Sequence, residues 1–205
     1  MIRLSSAQTF KVVTYIMSHP RTSQAEVAKE TGASRNLVNH VVSKLVAPGI
    51  LAQRGKLDLR LEDPLRLLET MSVQRPLSDL IVKEIRTEES AVSRVEKLVR
   101  EAAGVKGYAL TCFSALSKRT NYYITYPTVH VYSKKPAELS NGLVPGKGDV
   151  TVQILKPDSE TIFASAGRSR GFIVVEPVQV VIDLFCLGGP GRDGAMRLYK
   201  EITKA

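Results

Sequence analysis

Residues 22–51, TSQAEVAKETGASRNLVNHVVSKLVAPGIL, restrict the fold more than any other part of the sequence. They contain two helical patterns, and each begins at a serine that can cap a helix. Ser23 opens the first pattern and is followed by Glu26, which makes a capping box, and Ser34 opens the second. Gly32 stands between them and suits the left-handed conformation at a helix end. This order predicts a helix-turn-helix.

The flanking residues extend this motif into a larger unit. Another helix is predicted over residues 6–18, and the second helix of the motif is expected to cover 34–47. Two alternating runs, 50–54 and 56–61, surround Gly55 and predict a β-hairpin with a basic tip. Three helices followed by a β-hairpin is the order of a winged helix.

The third predicted helix has an apolar and a polar side. The apolar stripe, expected to be buried, consists of Leu37, Val38, Val41, Val42 and Leu45. The candidate DNA-binding residues are Ser34, Arg35, Asn36, Asn39, His40 and Lys44 in the helix, with Arg54 and Lys56 at the hairpin tip. Arginine can pair with guanine and asparagine with adenine in the major groove. Lys44 suits phosphate, and the hairpin tip suits phosphate or the minor groove.

The charge distribution agrees with a DNA-binding N-terminal part. The whole chain has a formal net charge of +9 over 205 residues. Residues 1–62 hold nine Lys and Arg against four Asp and Glu, so this third of the chain carries +5. Such an excess favours phosphate binding. Two alternatives stay open: a surface charge that only keeps the protein in solution, and a winged helix that serves protein contact without reading DNA.

The rest of the chain predicts a second domain. Asp63 and Pro64 begin a helix over residues 63–77, interpreted as the link between a winged-helix domain, 1–62, and an α+β interaction domain, 78–205. The apolar side of this helix is predicted to consist of Leu65, Leu67, Leu68 and Met71. Strands are predicted at 80–86, 107–112, 122–133, 149–155 and 171–176, and helices at 88–103, 178–187 and 193–204. A mixed sheet packed with helices places the protein in the α+β class.

The sequence offers no clear catalytic set. Cys112 and Cys186 stand far apart in apolar surroundings and are interpreted as buried hydrophobic residues. His130 alternates with valines in a strand, which favours a structural role. The glycine-rich stretch 187–195 lacks the lysine of a phosphate-binding loop and is interpreted as a helix-to-helix connection. We therefore expect no enzyme activity, cofactor or metal. No apolar run could span a membrane, so a cytoplasmic protein is expected.

Several segments of the second domain resemble the AbiEi-like antitoxins of type IV toxin–antitoxin systems. The resemblance rests on GYALTCFSALSKRT, TYPTVHVYSKK and GFIVVEPVQVVIDLFCLGGPGRDGAMRLYK. The matching positions are Tyr108–Thr111, Ser114-Ala115, Val131-Tyr132, Pro177, Gln179, Asp183, Leu184 and Gly191-Arg192. The chain departs from the family pattern at Asp193-Gly194, where Glu and Ala are more usual.

This resemblance implies an autorepressor whose second domain counters a nucleotidyltransferase-type toxin. A homodimer would be compatible with the repeated operator sites that such regulators use. The family domain is comparable with a nucleotidyltransferase sheet, in which acidic residues hold magnesium. This chain has TVHVY, residues 128–132, where those acids are expected, so an active nucleotidyltransferase is disfavoured. A protein-interaction module in a nucleic-acid-processing complex and a nucleotide-handling enzyme are the remaining alternatives.

Overall fold

The computed structural model describes residues 6–55, 57–104, 107–121 and 126–204. The chain divides into two compact units, one reaching Pro76 and the other spanning Leu77–Lys204. The helix that the sequence placed between two domains lies on the N-terminal side of this division. Each unit has its own sheet and its own apolar core.

The first unit contains four helices and a small antiparallel sheet. Its elements are α1 (Ala7–Ser18), β1 (Arg21–Thr22), α2 (Gln24–Thr31), α3 (Arg35–Val46), β2 (Leu51–Arg54), β3 (Asp58–Leu61) and α4 (Pro64–Gln74). The strand order is β1-β3-β2. Strand β1, which the sequence did not predict, pairs Arg21 with Arg60 and Thr22 with Leu59. A two-residue strand has no periodicity to reveal it.

The serine caps of the motif form as the sequence predicted, but among the described residues the Glu26 carboxylate does not complete the capping box by bonding to the Ser23 N–H. The Ser23 hydroxyl accepts a hydrogen bond from the Glu26 backbone N–H at 3.2 Å, and the Ser34 hydroxyl accepts one from the Leu37 N–H at 3.2 Å. Gly32 has a φ of +66°, so it provides the left-handed turn between α2 and α3. The Glu26 carboxylate accepts from the Thr22 hydroxyl at 2.9 Å, which ties the helix to β1.

The core of the first unit differs from the predicted pattern at two leucines. The apolar stripe of α3 is buried at Val38, Val41, Val42 and Leu45, but Leu37 in the first turn is only half-buried. In α4, Leu65 is 43% exposed, although it was predicted to lie on the apolar face. Leu65 lies in the first turn of α4, and the buried face of this helix consists of Leu67, Leu68 and Met71.

The second unit is built on a six-stranded mixed sheet of order β4-β7-β6-β5-β9-β8. After a 3-10 turn at Leu77–Leu80, its elements are β4 (Ile81–Arg86), α5 (Val92–Ala103), β5 (Tyr108–Thr111), α6 (Cys112–Arg119), β6 (Thr128–Ser133), α7 (Pro136–Asn141), β7 (Thr151–Leu155), α8 (Thr161–Ser165), β8 (Gly167–Ser169), β9 (Phe172–Val174), α9 (Pro177–Leu187) and α10 (Pro190–Ile202). The pairs β6–β7 and β5–β9 are parallel and the other pairs are antiparallel. This sheet confirms the mixed α+β prediction.

Several elements of the second unit were missed or misplaced. Strand β8 and the short helices α7 and α8 were not predicted. Of the predicted strand 122–133, residues 128–133 form β6 and residues 126–127 are not in a strand, whereas residues 122–125 lie outside the described part of the chain. Helix α10 begins at Pro190 rather than at residue 193, so part of the glycine-rich stretch is helical.

The glycines of α10 allow two helices to lie close together. A Cβ atom added to Gly191 would stand 2.3 Å from the Leu184 carbonyl oxygen of α9. A Cβ at Gly194 would stand 3.0 Å from the Leu116 side chain of α6. Both glycines are buried in the helix. Their role is therefore close packing against α9 and α6.

A buried carboxylate joins α9 to the centre of the sheet. Asp183 is fully buried, and its Oδ2 atom accepts hydrogen bonds from the Thr111 hydroxyl at 2.6 Å and the Tyr132 hydroxyl at 2.9 Å. Its Oδ1 atom accepts from the Gln179 amide at 2.9 Å. These donors come from β5, β6 and α9. A buried polar group held by several donors orients the elements that supply them.

We expect Asp183→Ala to destabilise the protein strongly, because it leaves three buried donors without this acceptor. The expected loss in free energy of unfolding is about 3 kcal/mol or more, measured by urea denaturation. Asp193→Ala is the matched control, since Asp193 is exposed on α10 and should change stability little. Equal stability of the two variants would contradict a structural role for the buried carboxylate.

Candidate nucleic-acid interface

Helix α3 presents a continuous polar face to solvent. The exposed residues are Ser34 at the N-cap and Arg35, Asn36, Asn39, His40, Ser43 and Lys44 in the helix. The opposite face is buried in the core of the first unit. The amphipathic pattern of this helix therefore fixes which side chains point outward, and all six predicted helix residues are among them.

The outward side chains of α3 are not used to hold the unit together. Within the described residues, Arg35, Asn36, Asn39, His40 and Lys44 have no side-chain hydrogen bond or ion pair. Ser34 differs, because its oxygen caps the helix. A serine hydroxyl that accepts a bond can still donate its own hydrogen outward. The face thus offers donors and acceptors that a ligand could bind without breaking internal contacts.

The hairpin after α3 forms the wing. Strands β2 and β3 pair with Arg54 opposite Asp58, and the Gln53 side-chain amide donates to the Gly55 carbonyl oxygen at 2.8 Å. Arg54 is exposed as predicted. Lys56, the other predicted tip residue, lies outside the described residues. Leu57 is 81% exposed, and the sequence interpretation had assigned it no functional role.

The order and geometry of these elements define a class of protein domain. A capped helix pair joined at a left-handed glycine, preceded by one helix and followed by an antiparallel wing, is a winged helix-turn-helix. Residues 6–51 match the family model described as winged helix-turn-helix DNA-binding. The first unit therefore carries a winged helix-turn-helix DNA-binding domain. This match ends at the first residue of β2 and covers less than a quarter of the chain.

The second unit is not covered by the family match. No curated protein and no solved structure was found to match the chain. Among the residues that the structure describes, no helix is long and apolar enough to cross a membrane. In the same ranges, no three His, Cys, Asp or Glu residues gather as a metal site requires.

The cysteines and His130 of the second unit lie in the interior. Cys112 and Cys186 are buried, as predicted. Cys112 has a φ of +50° at the turn from β5 into α6, a conformation that strains residues other than glycine. His130 is only 3% exposed and pairs with Thr111 on β5 and Gln153 on β7. Burial lowers its pKa to about 4, and a hydrogen bond with Gln153 acts in the opposite direction.

The lowered pKa of His130 predicts loss of stability in mild acid. The unfolded chain binds a proton near the ordinary histidine pKa of about 6.5, whereas the folded chain resists protonation until about pH 4. Stability should therefore fall as pH drops below about 6.5, by roughly 2 kcal/mol between pH 7.5 and pH 5 from this group alone.

The variant His130→Asn isolates this effect, because asparagine keeps a polar side chain but does not titrate. Urea denaturation at pH 7.5 and pH 5 should show a smaller loss of stability for the variant than for the wild-type chain. Identical losses in the two proteins would mean that His130 does not control this part of the pH profile.

Proposed function

We propose that the protein is a sequence-specific regulator of transcription that reads double-stranded DNA with helix α3. The observation that carries the proposal is the polar face of α3, whose side chains, apart from the Ser34 cap, have no hydrogen bond or ion pair among the described residues. The first-unit match to a winged helix-turn-helix DNA-binding model supports it. The positive charge of residues 1–62 adds attraction to phosphate.

Several residues of the interface have a proposed role. Arg35 and Asn36 lie in the first turn of α3, the end of a recognition helix that enters the major groove, and Asn39 and His40 follow one turn later. Arg35 and the asparagines suit base edges. Lys44 near the end of the helix and Arg54 on the wing suit phosphate. The exposed apolar Leu57 suits a sugar or the floor of the minor groove.

The double variant Arg35→Ala/Asn39→Ala tests base reading. Each lost bidentate base contact is worth about 1–3 kcal/mol, so specific affinity should fall at least tenfold. The assay is a gel shift with DNA from upstream of the coding sequence, with random-sequence duplex as competitor. Nonspecific binding should change much less. Unchanged specific affinity, with the fold intact by circular dichroism, would exclude α3 as the reader.

Two further variants in the same gel-shift assay test whether the wing contacts phosphate and whether the second unit takes part in DNA binding. Arg54→Ala should weaken all duplexes evenly and reduce the salt slope by about 1, because it removes one phosphate contact. Lys97→Ala, exposed on α5 of the second unit, should leave DNA binding unchanged. If the wild-type chain binds no duplex at moderate salt, the domain serves protein contact instead.

A finer proposal is that the regulator is an antitoxin-type autorepressor in the cytoplasm, and that its second unit is not an enzyme. It is supported by the sequence resemblance and by the meeting of four of its motif residues, Thr111, Tyr132, Gln179 and Asp183, in one buried network. The resemblance expects magnesium-binding acids in the strand that holds His130, and this strand, residues 128–133, contains no acidic residue.

Co-expression tests this finer proposal. A protein encoded beside this one should slow growth when produced alone, and the full chain should relieve that effect even when it carries Arg35→Ala/Asn39→Ala. Growth arrest that the chain does not relieve would reject the antitoxin role. That result would not affect the proposal that the protein binds DNA, because the gel shift tests DNA binding separately.

A further inference from the structure

The second unit contains an open cleft of about 680 Å³ that the proposed function does not use. It lies between β4, the ends of β6 and β7, and helix α7. Its charged lining residues are Lys83, Lys134, Lys156 and Glu160. A volume between about 300 and 1,000 Å³ is typical of sites for small molecules.

The sheet topology brings two of these lysines together. Strands β6 and β7 are parallel, and Tyr132 near the end of one pairs with Leu155 at the end of the other. Lys134 and Lys156 follow these strands and therefore leave the sheet at the same edge. Crevices at the carboxyl ends of parallel strands are frequent ligand sites. This edge is opposite the one at which β5 turns into α6, because β5 is antiparallel to β6.

A β-bulge directs a further lysine into the cleft. The pairing of β4 with β7 shifts between Ile81 and Lys83, which leaves Val82 without a partner. In a regular strand, neighbouring side chains point to opposite faces, yet Val82 and Lys83 both line this cleft. Bulges commonly reorient a side chain next to a functional site. The irregularity thus adds an apolar and a cationic group to the same wall.

The charges of the cleft are not balanced. Three lysines and one glutamate line it, and within the described residues none of the three lysines has an ion pair. Lys134 lies over the Phe163 ring, with Nζ 5.2 Å from the ring centre. Ser140 and Asn141 on α7 add uncharged donors. A concave site with clustered positive charge focuses its field on small anions.

We propose that this cleft binds a small phosphorylated ligand of about the size of a mononucleotide. Lys83, Lys134 and Lys156 hold its phosphate groups, and Ser140 and Asn141 donate hydrogen bonds to it. Val82 and Pro157 contact its apolar portion. The concave shape favours a small molecule over the backbone of a long nucleic acid. The inference does not depend on DNA binding by the first unit.

Isothermal titration calorimetry of the full chain with ADP and with inorganic pyrophosphate tests the proposal. The wild-type chain should bind at least one probe with a dissociation constant below about 1 mM. Lys83→Ala/Lys156→Ala should weaken this binding at least tenfold, whereas Lys83→Arg/Lys156→Arg should retain it. The matched control is Lys97→Ala/Lys200→Ala, which removes two exposed lysines outside the cleft and should bind as the wild type does.

Three results would overturn the proposal. The first is no saturable heat with either probe up to about 10 mM. The second is equal binding by the cleft and control variants. The third is loss of duplex affinity in the cleft variant while neither probe binds, which would make the cleft a contact for the nucleic-acid backbone. Both substituted lysines are exposed, and circular dichroism would verify that each variant keeps its fold.

Discussion

The architecture of the second unit depends on one buried carboxylate. Removing a polar group from water costs several kcal/mol unless hydrogen bonds within the protein replace those to the solvent. Asp183 is fully buried, and Thr111, Tyr132 and Gln179 supply those bonds. Helix α9 is apolar on nearly all sides, so hydrophobic burial alone would not fix its rotation against the sheet. The directional bonds to β5 and β6 define one orientation.

The first unit follows a different logic, in which local signals dominate. Its helices begin at serine caps and turn at a glycine, and the buried stripe of α3 repeats at helical spacing. Burial of that stripe fixes the rotation of the helix. The polar face then points outward, and among the described residues its side chains, apart from the Ser34 cap, make no hydrogen bond or ion pair within the fold. Selection for binding can therefore alter that face with little effect on stability.

This contrast explains what could be predicted from the sequence. Caps, apolar stripes and the hairpin glycine are local, so the helix-turn-helix and its candidate residues could be read directly. Strand β1 could not, because two residues acquire a strand geometry only by pairing with Arg60 and Leu59. The cleft was missed for the same reason: Lys83 and Lys156 are distant in sequence, and only strand pairing and a bulge bring them together. Leu65 was misassigned because apolarity alone does not show which side of a helix is buried.

The close contact of α9 and α10 has a consequence for comparing sequences. Any side chain at position 191 would collide with the Leu184 carbonyl oxygen, and a side chain at position 194 would press against the Leu116 side chain. A Pro-Gly-x-x-Gly run after an apolar helix, easily mistaken for a nucleotide-binding loop, is then a mark of two helices in near backbone contact. In distant homologues, a bulkier residue at position 191 would indicate a wider helix pair and a rearranged core, even where the rest of the chain aligns well.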